Sequence, residues 1–177
     1  MSRINPVSME SAPAAAKPLL EAVQKKLGVT PNMMKTMAHA PGVLEAYLNF
    51  SGALAKGTLD GKTREAIALR VAQSNECGYC LSAHSLLGQK SGLSTDDVSA
   101  ARHGKASNAK LGAILVLADA INTKQGHITD EDFAAAKSAG VNDAEIAEVI
   151  GNVSLNVFTN YFNHVTDPEI DFPRVAL

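Results

Sequence analysis

The chain has 177 residues, 46% of them hydrophobic, and a formal net charge of −2 at pH 7 with histidine neutral. That length fits one domain with a sizeable core, and the small net charge disfavours a basic surface for nucleic acid or an anionic membrane. The two cysteines lie together, whereas a secreted disulfide framework spreads several pairs along a smaller chain. With no apolar run long enough for a signal peptide or a membrane-spanning helix, we expect a soluble, cytoplasmic protein.

Helix dominates the secondary structure that the first third of the sequence predicts. Alanine is abundant, aromatic residues are few, and β-branched alternation is almost absent. After an irregular arm over residues 1–12, a helix is predicted over residues 17–27, and Thr30-Pro31 opens a short second one. Another helix follows Pro41-Gly42 and ends before a turn at Asp60-Gly61.

Two helices are predicted to meet at the cysteines. The segment Thr63 to Ser74 is apolar on nearly every face, which is typical of a central, buried helix. Ser74 or Asn75 then offers an N-cap for a helix that begins at the cysteine pair and ends at Gly92.

The second half of the chain continues the helical pattern. Starts that resemble capping boxes occur at Ser94 and Thr129. The last helix is predicted over residues 144–165, followed by an extended tail over residues 166–177. One face of that helix carries apolar residues (Ile146, Val149, Ile150, Val153, Val157, Tyr161 and Val165). We therefore predict an all-α, single-domain protein over residues 1–177.

Polar residues of the last helix also recur at helical spacing, namely Asn156, Asn160, Asn163 and His164. Amide side chains both donate and accept hydrogen bonds. They are therefore expected to bond along a subunit contact, to rim a functional site, or to form a face exposed to water.

The strongest chemical signal is a Cys-x-x-Cys motif at Cys77 and Cys80, which can close and open a disulfide. On a helix, Cys80 and His84 are four residues apart and can touch. The start of a helix offers unpaired N–H groups and a partial positive charge, which favour thiolates. Because Cys80 is nearer His84, we assign it as the attacking thiol and Cys77 as the resolving partner. Glu65, on the preceding helix, can pass a proton to His84.

These residues fit the reduction of hydroperoxides. A hydroperoxide would oxidise Cys80 to a sulfenic acid and release water or an alcohol, and Cys77 would then condense with Cys80 to form the disulfide. Tyr79, between the cysteines, is expected to line the pocket or to donate a hydrogen bond to a bound peroxide.

Other interpretations remain open from the residues alone. Cys77, Cys80, His84 and Glu65 supply four plausible zinc ligands, although three of them lie on one short stretch rather than on two separated knuckles. The pair can also belong to a non-enzymatic redox sensor or disulfide-exchange protein, but no DNA-binding or receiver segment is recognisable for a sensor to act on.

At Glu65, Cys77, Cys80 and His84, the spacing Glu-x11-Cys-x2-Cys-x3-His resembles the alkyl hydroperoxidase D family of the carboxymuconolactone decarboxylase superfamily. The resemblance is strongest over residues 43–120. It implies an all-helical bundle that oligomerises through its helices as a trimer or hexamer. Lactone decarboxylases of the superfamily generally lack the cysteine pair, so decarboxylation is disfavoured.

The resemblance also implies a mechanism and partners. Cys80 would be the peroxidatic cysteine, Cys77 the resolving cysteine, and Glu65 with His84 the proton relay. The enzyme would use no metal or haem, only its redox-active disulfide. An external dithiol would regenerate it, either a lipoyl-bearing or a thioredoxin-like reductant, and some members reduce a peroxiredoxin. Some members of the family have a histidine immediately before the second cysteine, and this chain has Tyr79 at that position.

Overall fold

A computed structural model describes residues 2–177, and within them the chain forms nine α-helices and no β-strand. The helices are α1 (Lys17–Leu27), α2 (Asn32–Met37), α3 (Pro41–Leu54), α4 (Gly61–Ser74), α5 (Gly78–Lys90), α6 (Thr95–Arg102), α7 (Ala109–Thr123), α8 (Asp130–Ser138) and α9 (Asp143–Thr166). The all-α prediction is confirmed. Within the described residues, none of these helices combines the length and apolar character that a bilayer-spanning segment needs.

Helix α4 lies at the centre of the molecule and packs against α5, α6, α7 and α9. Its buried side chains are all apolar (Ala66, Ile67, Ala68, Leu69, Val71 and Ala72). Asp60 caps its start by accepting a hydrogen bond from the Thr63 backbone N–H at 2.8 Å, so α4 begins two residues earlier than the sequence predicts. The position of Glu65 is therefore fixed by the best-packed helix of the fold.

The junction between α4 and α5 differs from the prediction. Ser74 ends α4 and Asn75 follows it as the C-cap residue. Glu76 then adopts a left-handed backbone conformation with φ of 55°, which turns the chain into α5. The N-cap of α5 is Cys77, whose sulfur accepts a hydrogen bond from the Cys80 backbone N–H at 3.3 Å.

The prediction that Ser74 or Asn75 caps α5 is wrong because both side chains bond elsewhere. Ser74 Oγ donates to Asp119 Oδ1, 3.0 Å away on α7. The Asn75 amide donates to Asn160 Oδ1 of α9 at 3.0 Å and to an asparagine of α7. These bonds hold the junction against α7 and α9, so α5 starts at the first cysteine itself.

The capping boxes predicted at Ser94 and Thr129 are present at the starts of α6 and α8. Each side chain accepts a hydrogen bond from the backbone of an aspartate three residues on, and that aspartate bonds back. Asn142 and Glu145 form a third such box at the start of α9.

Helix α9 turns its amides inward and part of its apolar face outward. Ile146, Val149 and Val153 are buried, but Ile150, Tyr161 and Val165 are 47%, 60% and 64% exposed. The described chain therefore covers only part of the apolar face. At 24 residues, α9 is about 36 Å long and extends beyond the apolar core.

The possibility that the asparagines form a water-exposed face is wrong, because Asn152, Asn156, Asn160 and Asn163 are buried. Only His164 of the polar set is exposed, and its Nε2 lies 2.8 Å from the Asn75 carbonyl oxygen.

Two non-helical segments, residues 2–16 and 167–177, complete the described chain. The C-terminal segment lies along α5 and α6: the Val175 N–H donates to Ser82 Oγ at 3.2 Å, and the Arg102 guanidinium donates to the Ala176 carbonyl at 2.6 Å. We call residues 167–177 the C-terminal tail. Its path brings it to the start of α5, where the cysteines are.

Candidate redox site

Cys77 and Cys80 form a disulfide, with their Cα atoms 5.3 Å apart. The two residues are 2% and 3% exposed, so the bond is buried. Both stand in the first turn of α5, where the backbone N–H groups and the helix dipole favour negative charge. The same position will stabilise a thiolate once the disulfide is reduced.

Glu65 and His84 come from adjacent helices and form a hydrogen bond, with Oε2 and Nδ1 2.8 Å apart. Because an ionised carboxylate only accepts, the Nδ1–H must be the donor. That bond fixes the imidazole orientation and leaves Nε2 to accept or donate a proton on its other side. The structure thus brings together the acid and base that the sequence motif separates by nineteen residues.

A cavity of about 540 Å³ opens beside these residues. The described residues of its wall include Glu65, Tyr79, Cys80 and His84, whereas Cys77 is not among them. Much of the remaining wall is apolar, with Met33, Met34, Leu54, Ala68, Leu87 and Leu155 among its residues. The sulfur that a small molecule in the cavity can reach is therefore that of Cys80.

One side of the cavity is polar and consists of Asn152, Asn156, Thr159 and Asn163 of α9. The Asn163 amide donates to Cys80 Sγ at 3.2 Å and to Met33 Sδ at 3.3 Å. Sequence spacing placed Asn163 on one face with other amides, and lining a functional site was one of the expectations for that face, but the spacing does not connect it to Cys80 in particular. An asparagine stripe on an otherwise apolar helix was the available signal.

Tyr47 of α3 also lines the cavity and is a residue that the sequence pattern does not distinguish from its apolar neighbours. Burial, reinforced by the negative charge of Glu65, raises the pKa of Tyr47 to about 12. Its hydroxyl therefore keeps its proton at neutral pH and remains a hydrogen-bond donor on the wall of the cavity.

Tyr79 lines the cavity, and its hydroxyl is already engaged. It donates to Asp171 Oδ1 at 2.7 Å and accepts from the Met33 backbone N–H at 3.1 Å. Burial raises the pKa of Tyr79, and the hydrogen bond and charge of Asp171 act in the same direction. The Tyr79 ring meets Phe172 edge-to-face at 5.5 Å. This residue therefore ties the C-terminal tail to α5 rather than presenting its proton to a peroxide.

The geometry gives the zinc interpretation no support. Across residues 2–177, no group of three or more histidine, cysteine, aspartate or glutamate side chains is arranged to hold a metal ion.

Residues 41–123 match the model of the carboxymuconolactone decarboxylase family. Over these residues the chain is similar to that family. The matching segment contains Glu65, both cysteines and His84, so the whole Glu-x11-Cys-x2-Cys-x3-His motif lies in the part of the chain that the match covers.

Solved structures show the fold that this chain has. It is similar to the alkylhydroperoxidase AhpD core of an uncharacterized peroxidase-related protein from Ralstonia eutropha, with a TM-score of 0.83 and 23% identity over 96% of this chain and 92% of that one. It is also similar to a variant of the debrominase Bmp8 in complex with 2,3,4-tribromopyrrole, with a TM-score of 0.81 and 23% identity over 95% of this chain and 91% of that one. The AhpD-like fold predicted from the motif is confirmed.

One curated relative matches over a short segment only. An uncharacterized protein from Haemophilus influenzae is 51% identical over 45 residues, which are 25% of this chain and 40% of that protein. The matched segment therefore spans less than half of the relative's length.

Proposed function

We propose that this protein is a thiol-dependent peroxidase that reduces organic hydroperoxides or H2O2 through Cys77 and Cys80. The observation that carries the proposal is the arrangement around Cys80. Its side chain faces a cavity, Cys77 is close enough to form a disulfide with it, and the His84–Glu65 pair lies on the same cavity wall. The volume of about 540 Å³ is in the range of pockets that hold small organic molecules.

The first chemical step is attack by the Cys80 thiolate on the terminal oxygen of the hydroperoxide. The S–O bond forms as the O–O bond breaks, which leaves Cys80 as a sulfenic acid and the rest of the substrate as an alkoxide. His84, held through Nδ1 by Glu65, donates a proton to the alkoxide so that it leaves as the alcohol.

The second step forms the disulfide. The Cys77 sulfur attacks the sulfur of the Cys80 sulfenic acid and displaces its hydroxyl, which leaves as water. Two thiols and one hydroperoxide thus give a disulfide, an alcohol and water, so the cycle needs one external dithiol per turnover. The disulfide in the structure corresponds to the oxidised end of this cycle.

For regeneration we propose a lipoyl-bearing reductant rather than a thioredoxin-like protein. Both cysteines are buried, and Cys80 lines a cavity of about 540 Å³ rather than the protein surface. A dithiol at the end of a flexible arm can enter such a cavity, whereas a dithiol fixed on a protein surface requires the site to open. A peroxiredoxin remains a further candidate partner for the same dithiol.

The test is steady-state consumption of cumene hydroperoxide, tert-butyl hydroperoxide and H2O2 with dihydrolipoamide or reduced thioredoxin as electron donor. We expect turnover with dihydrolipoamide that is lost in Cys80→Ser. Thiol oxidation without turnover would favour the redox-sensor alternative. Because Bmp8 shares the fold and a variant of it is in complex with 2,3,4-tribromopyrrole, that compound is included as a fourth substrate. Bromide release without peroxide consumption would overturn the peroxidase proposal.

A further inference from the structure

We propose that Asn163 is a catalytic residue of the peroxidase reaction: its amide nitrogen holds the attacking sulfur of Cys80, and its amide oxygen binds the hydroxyl that the reaction leaves on that sulfur. This role rests on the proposed function and adds to it a residue that lies outside the Glu-x11-Cys-x2-Cys-x3-His motif.

The orientation of the Asn163 amide is dictated by its neighbours. Two sulfur atoms, Cys80 Sγ and Met33 Sδ, lie 3.2 and 3.3 Å from Nδ2. Neither a disulfide nor a thioether sulfur can donate a hydrogen bond, so only the N–H side of the amide can face them. The donor therefore points at the sulfur that we assign as the nucleophile, where a hydrogen bond favours the thiolate over the thiol.

The other half of the amide has no partner. In the part of the chain that the structure describes, Asn163 Oδ1 is buried and makes no hydrogen bond. An enclosed carbonyl oxygen of this kind is uncommon, and it calls for a donor that arrives at another stage of the reaction. The described residues contain two other buried polar groups without a partner, Ser85 Oγ and Asn160 Nδ2, but of the three side chains it is that of Asn163 that also donates to Cys80 Sγ.

A sulfenic acid on Cys80 supplies the missing donor. Its oxygen is bonded to the sulfur that the amide already contacts, and its hydroxyl hydrogen is the one that the hydroperoxide carried. The S–O–H group carries an acceptor, its oxygen, next to a donor, its O–H. These can pair with the N–H donor and the carbonyl acceptor of the Asn163 amide. Asn163 can therefore bond the transferred oxygen as the O–O bond breaks and keep the sulfenic acid in place for Cys77.

The test compares two electrophiles on the single thiol of Cys77→Ser. Iodoacetamide reports the reactivity of the thiolate alone, whereas cumene hydroperoxide also delivers the O–H group. Asn163→Leu, added to Cys77→Ser, removes both halves of the amide with little change in volume. We expect alkylation to slow by up to roughly tenfold and sulfenic acid formation to slow by roughly tenfold more, because each lost bond involves a charged or buried group.

The control is Thr166→Val on the same helix and in the same background. Thr166 is buried, and among the described residues its hydroxyl bonds only to the Phe162 carbonyl of its own turn, so both rates should stay unchanged. Asn163→Ala gives the same comparison if the leucine variant does not fold by circular dichroism.

The two proposals fail in different ways. If Cys77→Ser is alkylated but forms no sulfenic acid with hydroperoxide, the peroxidase reaction and the role of Asn163 in it are both overturned. If Cys77→Ser does form the sulfenic acid, and the Asn163 variants keep the wild-type ratio of peroxide to iodoacetamide rates, the peroxidase stands and the proposed role of Asn163 is overturned.

Discussion

Asp171 of the C-terminal tail accepts a hydrogen bond from the Tyr79 hydroxyl at 2.7 Å, which joins the tail to the residue before Cys80. The second carboxylate oxygen of Asp171 accepts from the Asn32 backbone N–H at 2.8 Å, at the start of α2. One side chain of the tail therefore connects α5 to α2, and Phe172 adds an edge-to-face contact with Tyr79.

We expect Tyr79→Phe to loosen this connection. The variant removes one hydrogen bond to a carboxylate that is itself exposed, so the free energy of unfolding should fall by about 1 kcal/mol. Because the tail covers the start of α5, dithiothreitol should reduce the disulfide faster than in the wild type. Urea titration and the rate of thiol release measure the two effects. Tyr161→Phe, which removes an exposed hydroxyl, is the matched control, and equal reduction rates in all three proteins would contradict the prediction.

We expect the buried Tyr47 to make the folded protein less stable in alkaline solution. Its pKa is about 12 in the folded protein and about 10 in the unfolded chain, because burial and the Glu65 charge disfavour the phenolate. Between these pH values the unfolded state binds fewer protons than the folded state, so stability falls as pH rises. Tyr47→Phe should therefore lose less stability than the wild type between pH 10 and pH 12.

Thermal unfolding midpoints at several pH values over this range measure the difference, with Tyr161→Phe as the control. Parallel curves for wild type and Tyr47→Phe would show that Tyr47 titrates normally. Below pH 10 the wild-type and Tyr47→Phe curves should be parallel, because Tyr47 is then protonated in both the folded and the unfolded state.

Local sequence spacing was enough to find the residues that interact within one or two helices. Cys77, Cys80 and His84 are separated by a single helical turn each, and Glu65 lies one helix earlier. Spacing was not enough for contacts that only the packing of distant helices creates. Asn163 is 83 residues from Cys80, and Asp171 is 92 residues from Tyr79. No local pattern encodes either contact.

Hydrophobic periodicity has a similar limit in α9. Tyr161 and Val165 belong to the same apolar pattern as the buried Val153. Periodicity, however, does not say whether a given apolar side chain packs against this chain or against another molecule. In the same way, the asparagine spacing marked a common face without indicating that it turns inward. The polar groups that it meets, at Asn75 and Cys80, are brought there by α4 and α5.

The exposed apolar side of α3 and α9 predicts self-association. Val43, Phe50, Leu155 and Phe158 line an apolar groove between these helices, and Tyr161 and Val165 continue it along α9. Exposed apolar surface of this kind is typical of an interface. We propose a homo-oligomer, a trimer or hexamer as the family resemblance implies, whose interface includes this groove.

Light scattering at micromolar concentration should give a mass of at least three chains for the wild type. Phe158→Lys places a charge in the groove and should reduce that mass. Lys105→Glu, a substitution of similar size outside the groove, is the control. A monomeric wild type would contradict the prediction, and an unchanged mass in Phe158→Lys would exclude this groove from the interface.

We expect substitutions in the Glu65–His84 pair to slow the reaction with peroxide without disturbing the fold. Glu65→Gln keeps a hydrogen bond to His84 but removes the charge, and His84→Gln removes the imidazole. If the pair moves the proton, the rate of peroxide-driven thiol oxidation should fall by a factor of about 10²–10⁴, as is typical for loss of acid–base help. Circular dichroism should be unchanged, and diamide should still form the disulfide. Unchanged peroxide rates would leave both residues with structural roles only.

The two cysteines predict opposite outcomes when each is replaced by serine. Cys80 lines the cavity and Cys77 does not, so a hydroperoxide should oxidise Cys80 first. In Cys77→Ser, dimedone should therefore trap a sulfenic acid on Cys80, because no second thiol is present to condense with it. In Cys80→Ser, peroxide should leave the remaining thiol largely unmodified, because the structure gives it no direct access from the cavity.

Peptide mass spectrometry after equal exposure to cumene hydroperoxide measures both outcomes, and the wild type should show only the Cys77–Cys80 disulfide with the loss of two thiols. The two variants serve as controls for each other, since each retains one thiol at the same helix start. Trapping on Cys77 in the Cys80→Ser protein, together with an unreactive Cys80 in the other variant, would reverse the two roles. A stable sulfinate on Cys80 in the wild type, without disulfide, would remove the resolving role of Cys77, because condensation must outrun further oxidation for the cycle to turn over.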